Sequence, residues 1–522
     1  MTNKYGRFGQ QVLAAMIASG CAMFAKGQVE SQNIVGYHET RGGGVVNYYM
    51  NKGVYGELIV DVIDMTSLLT HSSGEYIYIC EKNGATIIDY KGEETTLAVP
   101  SRLDDLPVLT IGVPIPVPDG SPMNMRNVPF AARGHIRHVV VSEPVLTINP
   151  FALANCTNLM AVDLACTVTN LGRQAFDNCM RLERIRVALD NPCYWGSPDG
   201  VVFSKDRVKL VRYPSGKSGR YDVPDGVCRI DTCAFSGSLL LSGVSFPDSM
   251  LVIEDGAFFL CSALVSADFS ASLTVIGDYG FYGCATLKDL RLPPALRTLG
   301  KYAFSGCANL TAVTIPAAIT SVNDASFAGC ANLVSINLPA GVTNIGDYAF
   351  YDCAALKDLR LPPALRTLGK YAFSGCANLT TVTIPAGVTS VEDETFRVCS
   401  ALVSVNLPSG VTNIGDYAFS DCAALKDLRL PPTLQKLGKK TFFGCEKLQE
   451  IHIPASIESI GREAFSGCRN LKAIIFVGDR PTCEVESTLF LDSPDVIIYR
   501  RPCAKGWGET FGGRPTAVWK ED

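Results

Sequence analysis

Hydrophobic and polar positions alternate along this chain in short bursts that return at a fixed interval. One burst reads Leu379-Thr-Thr-Val382-Thr-Ile384-Pro385, followed by Val388, Val391, Phe396 and Cys399. The Leu-x-x-Val-x-Ile segment alternates in and out and is rich in β-branched residues, which predicts a short strand. A proline closes that segment in most repeats: Pro293, Pro316, Pro339, Pro362, Pro385, Pro408, Pro431 and Pro454. Lacking an N–H, it ends the ladder and turns the chain. About a dozen positions remain for the return path, too few for more than a turn or two of helix.

Cysteines count the bursts. They stand at 261, 284, 307, 330, 353, 376, 399, 422, 445 and 468, always 23 residues apart. Cys156 and Cys179 keep the same interval, and Ser238 takes the place one step before Cys261. A phenylalanine precedes each mark from Cys179 onward by three residues, from Phe176 and Phe235 to Phe465. A period in the twenties predicts a solenoid. One elongated array therefore replaces the three or four domains that 522 residues would otherwise suggest. No unit can bury its apolar edge alone, so stacked units share columns of Leu, Val/Ile, Phe and Cys. Eleven units end between Ser238 and Cys468, and Cys156 and Cys179 close two more. The stretch from Cys179 to Ser238 is 13 residues longer than two periods, and it is turn-rich around Asn191-Pro192 and Tyr213-Pro214. A larger repeat is superimposed. Residues 287–311 and 356–380 are identical over 25 positions, 69 apart, and a third, diverged copy starts at Leu425.

The unit Leu333-Val-Ser-Ile-Asn-Leu-Pro339 through Ile345-Gly-Asp-Tyr-Ala-Phe-Tyr-Asp-Cys353 resembles the BspA-type leucine-rich repeat. The resemblance covers roughly residues 75–476, from Glu75-Tyr76-Ile-Tyr-Ile-Cys80 onward. Residues 477–522, with Phe476-Val-Gly-Asp-Arg-Pro-Thr482 and Gly506-Trp507-Gly508, are similar to the closing segment of such arrays. The resemblance implies a leucine-rich repeat solenoid, curved, with its short strands on the concave face. It also implies a secreted or surface protein, and for several members an adhesin toward host matrix proteins or other cells. Departures are visible. The Gly after Ile is replaced by Glu254, Asn323 and Glu392, so a left-handed backbone is not required there. Pro-rich residues near 113–130 interrupt an early unit, a second insertion lies near 190–220, and residues 28–74 form an N-terminal cap or an unassigned segment.

The N-terminus reads as an address. Lys4 and Arg7 precede an apolar run from Val12 to Ala25, and small residues follow, the pattern of a secretory signal peptide over residues 1–27. About 14 apolar residues fall short of the roughly 20 that a membrane-spanning helix needs. Ser19-Gly20-Cys21 offers a second reading, a lipid anchor at Cys21. Composition then narrows the function. The chain carries 46 Lys+Arg against 51 Asp+Glu, so no basic excess points to nucleic acid. Five histidines leave little room for His-based chemistry.

Three fragments of chemistry fail on inspection. Gly216-Lys217-Ser218 imitates the end of a phosphate loop, but Val211 stands where its first glycine belongs. His135 and His138 are a close pair without a third ligand nearby in sequence. The Cys column fits buried thiols acting as small hydrophobes better than disulfides, because neighbouring rungs keep their Cβ atoms about 4.8 Å apart. Cys228/Cys233 and Cys483/Cys503 are the pairs whose bridging stays open. Asn309 and Asn378 fit the N-glycosylation pattern, which the repeat itself creates.

With no nucleophile–base pair, metal site or cofactor motif, the expectation is a non-enzymatic protein binding a protein or glycoprotein partner. Its rivals are a cell-envelope scaffold without an external ligand and an enzyme housed in the unassigned segments. The candidate contacts are the two outward positions of the strand. Asp289, Asp358 and Asp427 recur at one, and Arg291, Arg360 and Arg429 at the other. A lower-ranked stripe is Tyr279, Tyr302, Tyr348, Tyr371 and Tyr417, two residues before the column Phe and expected along the convex edge of the core.

Overall fold

A computed structural model describes the strand backbones at 34–39, 45–52 and 58–64, and residues 70–113, 124–125 and 133–519. The expected strand is present in most repeats: Ala312–Thr314, Ser335–Asn337 and Asp358–Leu359 pair in parallel, as do Thr381–Thr383, Ser404–Asn406 and Asp427–Leu428, while Asp289 and Leu290 make isolated parallel bridges at the same place. Partners are 23 residues apart (Ala312 opposite Ser335), so the sequence period is the stacking step of the array. Within each strand the middle residue is buried and its neighbours face outward.

The return path contains a second ladder that the alternation did not reveal. Ser321–Val322, Asn344–Ile345 and Thr367–Leu368 pair in parallel, again one period apart. Two residues are too few to show a period of two, so these strands are silent in a pattern search. Instead of a helix, a third side is built from turns. Its backbone amides donate to the next unit: Phe281 to the Ala303 carbonyl at 2.7 Å and Phe304 to Ser326 at 2.8 Å. Each unit is thus a three-sided coil, with two strand sides and one turn side that hydrogen-bond along the stack.

The column of phenylalanines runs down the middle. Phe235 to Phe419 are fully buried, and successive rings stack with centroids 4.6 to 5.8 Å apart. The cysteine column lines up beside it, and from Cys261 to Cys468 each thiol donates to a phenylalanine carbonyl of the preceding unit, Cys376 to Phe350 at 3.3 Å.

The glycine after the second-ladder Ile or Leu serves close approach. A Cβ on Gly300 would lie 2.3 Å from the Gly277 carbonyl carbon, and one on Gly369 would lie 2.5 Å from the Asp347 amide. The left-handed residue is two places further on. Tyr279, Tyr302, Tyr348, Tyr371 and Tyr417 all adopt φ of 55 to 58°. A second left-handed position precedes each cysteine and is glycine in many units, as at Gly306.

Both ladders are segmented. The first breaks into three-stranded sheets ending at Asp358–Leu359 and at Asp427–Leu428, and the second breaks after Thr298–Leu299 and after Thr367–Leu368. The three-unit block duplicated in the sequence is therefore also a three-strand block of sheet. Asn323 and Glu392, two of the non-glycine residues, stand just past seams of the second ladder. Glu254 follows an unbroken pairing, so a missing glycine alone does not make a seam.

The insertion near 190–220 divides the interior into two cores. It folds as Tyr194–Gly196, Val202–Ser204 and Lys209–Arg212, paired antiparallel, and its last strand joins the second ladder beside Arg229–Ile230. Alternation lets one hairpin serve both sides. Val202 and Val211 enter the N-terminal core, whereas Val201, Phe203 and Leu210 enter the C-terminal one. On the turn side the halves meet at a polar joint. Asp177 accepts hydrogen bonds from Ser236, at 2.9 Å, and from Gln174, while buried Arg212 donates to the carbonyls of Gly172 and Cys233. Dense surrounding protein pushes the Asp177 carboxyl up to about 6, against the opposing pull of Gln174, Arg212 and Ser236.

At the start of the array, Thr70–Ser73 and Tyr76–Glu81 add antiparallel strands to Gly84–Tyr90, which pairs in parallel with Leu106–Ile111. At the other end the first ladder continues past residue 476 through Ile497–Arg500 and Arg514–Val518. There Trp507 and Phe511 pack on Phe476 and cover the last unit. The expected signal peptide, Cys21 and most of the 113–130 insertion lie outside the described residues.

Candidate functional site

Alternation along the first ladder points two side chains per strand away from the core. In three repeats these are Asp289 with Arg291, Asp358 with Arg360, and Asp427 with Arg429, and all six are exposed. Between them lie small polar rows, Ala312/Thr314 and Ser335/Asn337 in one block and Thr381/Thr383 and Ser404/Asn406 in the next. Asn406 donates to Thr383 Oγ1 at 3.2 Å, so the floor between charged rows carries amide and hydroxyl groups in register.

None of the six charged side chains makes an ion pair or hydrogen bond within the described residues. The structure can satisfy charges in this geometry elsewhere. Arg220 pairs with Asp222 two residues on, at 3.2 Å, and reaches across Gly243 to Asp268, while His452 meets Glu450 at 2.8 Å. The diverged third block separates these rows from their surroundings. Exposed Lys288, Asp289, Arg291 and Lys301 reappear there as Lys426, Asp427, Arg429 and Lys439. Exposed Arg297, Thr298, Asn309 and Thr311 have become Gln435, Lys436, Lys447 and Gln449.

The tyrosine stripe behaves differently. Tyr279 is 7% exposed, and the other four are half-buried. Tyr279 stacks on Tyr302 at 4.7 Å and Tyr348 on Tyr371 at 4.5 Å. The Tyr371 hydroxyl donates to Glu394 at 2.6 Å, and burial, then that bond, raise its pKa. Arg397, Lys439 and Lys440 gather over the Tyr417 ring at 5.5 to 5.6 Å. Beside them runs a row of Asp, Asp and Lys that is bonded from unit to unit. Asp347 Oδ1 accepts from the Lys370 amide at 2.8 Å, and the Lys370 ammonium meets Asp393 at 2.9 Å. This face spends its polar groups on holding the array together.

The remaining sequence candidates take plain roles. His138 meets Asp163 at 2.9 Å, and His135 makes no such contact. Lys217 pairs with Asp199. All described cysteines are free, Cys228, Cys233, Cys483 and Cys503 included, so neither possible bridge forms. Burial pushes the column thiols up, Cys330 and Cys399 to about 12. Among the described residues no group of three or more His, Cys, Asp or Glu could hold a metal ion, and no helix is long and apolar enough to cross a membrane. Sequence reasoning missed the Arg220–Asp222–Asp268 network on the strand face. Its signal was available, since these residues occupy the same two outward positions one block earlier.

A solenoid of 23-residue units with parallel ladders of short strands defines a leucine-rich-repeat protein. The model of the BspA-type leucine-rich repeat region matches in 6 copies, over residues 124–191, 217–334, 320–445 and 389–493. The chain belongs to that family. Among solved structures, it is 25% identical to a leucine-rich repeat protein of Bacteroides ovatus, covering 78% of this chain and 94% of that one, with a TM-score of 0.46. A leucine rich cell surface protein of Faecalibacterium prausnitzii is 21% identical, with coverages of 85% and 97% and a TM-score of 0.34. The pneumococcal vaccine antigen PcpA is 16% identical, with coverages of 58% and 93% and a TM-score of 0.33. No curated protein matches the chain.

Proposed function

We propose that this protein is exported, non-enzymatic, and binds a protein or glycoprotein partner through the first-ladder face, as an adhesin for host matrix proteins or other cells. One observation carries the reading: three Asp/Arg rows stand exposed and unpaired at a fixed spacing, while the charges of the turn side are bonded to one another. A single exposed ion pair is worth only about 0.2–1 kcal/mol. Three equivalent rows on a rigid support act together, because the first contact raises the effective concentration of the next. The charged start and apolar run of residues 1–27 support export, and membership of the BspA-type family is consistent with display outside the cell.

The test has two arms. Brief protease treatment of intact source cells should digest the array. Protection until the outer layer is broken would favour an envelope scaffold instead. The full chain carrying Arg291→Ala, Arg360→Ala and Arg429→Ala should keep its melting temperature within a few degrees. It should also lose at least tenfold in binding to immobilised matrix proteins or to cells. Unchanged binding would move the site off this face.

A further inference from the structure

The three charged rows lie on two parallel rails. Asp289, Asp358 and Asp427 form an acidic rail, and Arg291, Arg360 and Arg429 a basic one, two residues further along each strand. The rails stand about 7 Å apart by strand geometry, and rows three strands apart recur at roughly 14 Å. Lys288, Lys357 and Lys426 flank the acidic rail on its outer side. Between rows the floor is Ala, Ser, Thr and Asn, small enough for a backbone to approach and equipped to hydrogen-bond amides.

We infer that the partner presents an extended polypeptide segment that lies lengthwise along the array, across the strands. It carries a basic and an acidic side chain on opposite edges at every fourth residue. The inference rests on the proposed partner-binding role of this face and names the partner's chemistry. An extended chain advances about 3.4 Å per residue and sends successive side chains to opposite edges. Four residues therefore span about 14 Å and return each charge to its own edge. Odd spacings put successive lysines on alternating edges, and a six-residue spacing overshoots the rows by about 6 Å. A Lys of the segment meets the acidic rail and the neighbouring Glu the basic rail. The backbone meets Ser335, Asn337, Thr381, Thr383, Ser404 and Asn406. A helix fits poorly, because its 1.5 Å rise needs nine to ten residues per row, which is not a whole number of turns.

The probes are labelled peptides of Lys-Glu-Gly-Ser repeated four times, and versions with one or two extra Gly/Ser residues per repeat, giving periods of five and six. They are titrated against the full chain by fluorescence anisotropy at low and high salt. The period-four peptide should bind at least tenfold tighter than the other two, and salt should weaken it. A chain with Asp289, Asp358 and Asp427 changed to Asn and the three arginines changed to Gln should lose that preference at an unchanged melting temperature. Equal affinity for all three periods, no binding, or an undiminished preference in the six-fold variant would overturn the inference. If the peptides fail while matrix or cell binding still depends on the three arginines, this inference falls and the adhesin reading stands. If both fail, the face is not a binding site.

Discussion

Phe373 offers a measurement with a built-in control. Its ring is fully buried and stacks between Phe350 at 5.3 Å and Phe396 at 5.7 Å. Phe373→Ala removes a ring from the middle of a column held on its turn side by hydrogen bonds between units, Phe350 N–H to the Ala372 carbonyl at 2.8 Å and Phe373 N–H to the Thr395 carbonyl at 2.9 Å, so the gap cannot collapse freely. Such truncations cost about 3–5 kcal/mol. Phe304 lies in the identical 25-residue copy, is equally buried, and stacks between Phe281 and Phe327 at the same 5.3 and 5.7 Å. The two substitutions should therefore cost the same to within about 0.5 kcal/mol. Because units contact only their neighbours, the loss should stay in the C-terminal core and leave the core ending at Val211 unmoved. Denaturant titration read by segment-resolved hydrogen exchange checks both statements. A cost below about 1 kcal/mol would refute the buried column. Equal loosening of both cores would refute the division at the hairpin.

Three further outcomes are expected. Alkylation of the native protein should modify exposed Cys503 and spare the ten column cysteines, because the thiolate is the reactive form and burial suppresses it. Mass spectrometry after denaturation without reductant should then find all ten reactive. Burial pushes the Asp352 carboxyl up to about 6, so its contribution to stability is complete below the ordinary carboxylate range and is lost as pH rises through 6. Asp352→Asn should raise stability at pH 8 by about 1–2 kcal/mol, discounted for partial exposure, and change almost nothing near pH 3, below the ordinary carboxylate range, as paired melts would show. Gly300→Ala should cost about 1–3 kcal/mol, because the added methyl meets Gly277 backbone; a melting temperature within a degree of the parent would contradict the close-approach account.

The columns were legible in the sequence because one residue type repeats at one place in a rigid period: Phe, Cys and the strand Leu each fill the same hole in every unit. The second ladder was not, since Asn344–Ile345 and its neighbours are two residues long. The tyrosines stand out as a stripe, but their left-handed backbone does not, because nothing in the side chain of Tyr348 announces a φ of 58°. The joint at Asp177 escaped because Ser236 lies 59 residues away, outside the 23-residue period, and only the folded hairpin brings them together. Alternation alone points to the rows Asp289/Arg291, Asp358/Arg360 and Asp427/Arg429, and the structure leaves them exposed. That they lack partners, while Lys370 and Asp393 on the turn side do not, depends on geometry between units that spacing along the chain does not carry.

The duplicated block gives these observations a common cause. Three units in the sequence make three strands of sheet, and the first-ladder sheets end on the strands Asp358–Leu359 and Asp427–Leu428 that carry a charged row. A row therefore recurs once per block, at a spacing set by strand separation and not by side-chain choice. Adding a block adds one row in register with the others, at the same distance and on the same rails. Affinity for a repetitive or extended partner can then grow by lengthening the array, with no new contact to invent, because each further row acts at the effective concentration set by those already engaged. The diverged block at Leu425 fits this logic. It has lost the tyrosine of its turn, where Lys440 now stands, and several exposed residues with it, yet Asp427 and Arg429 remain at the register their predecessors occupy.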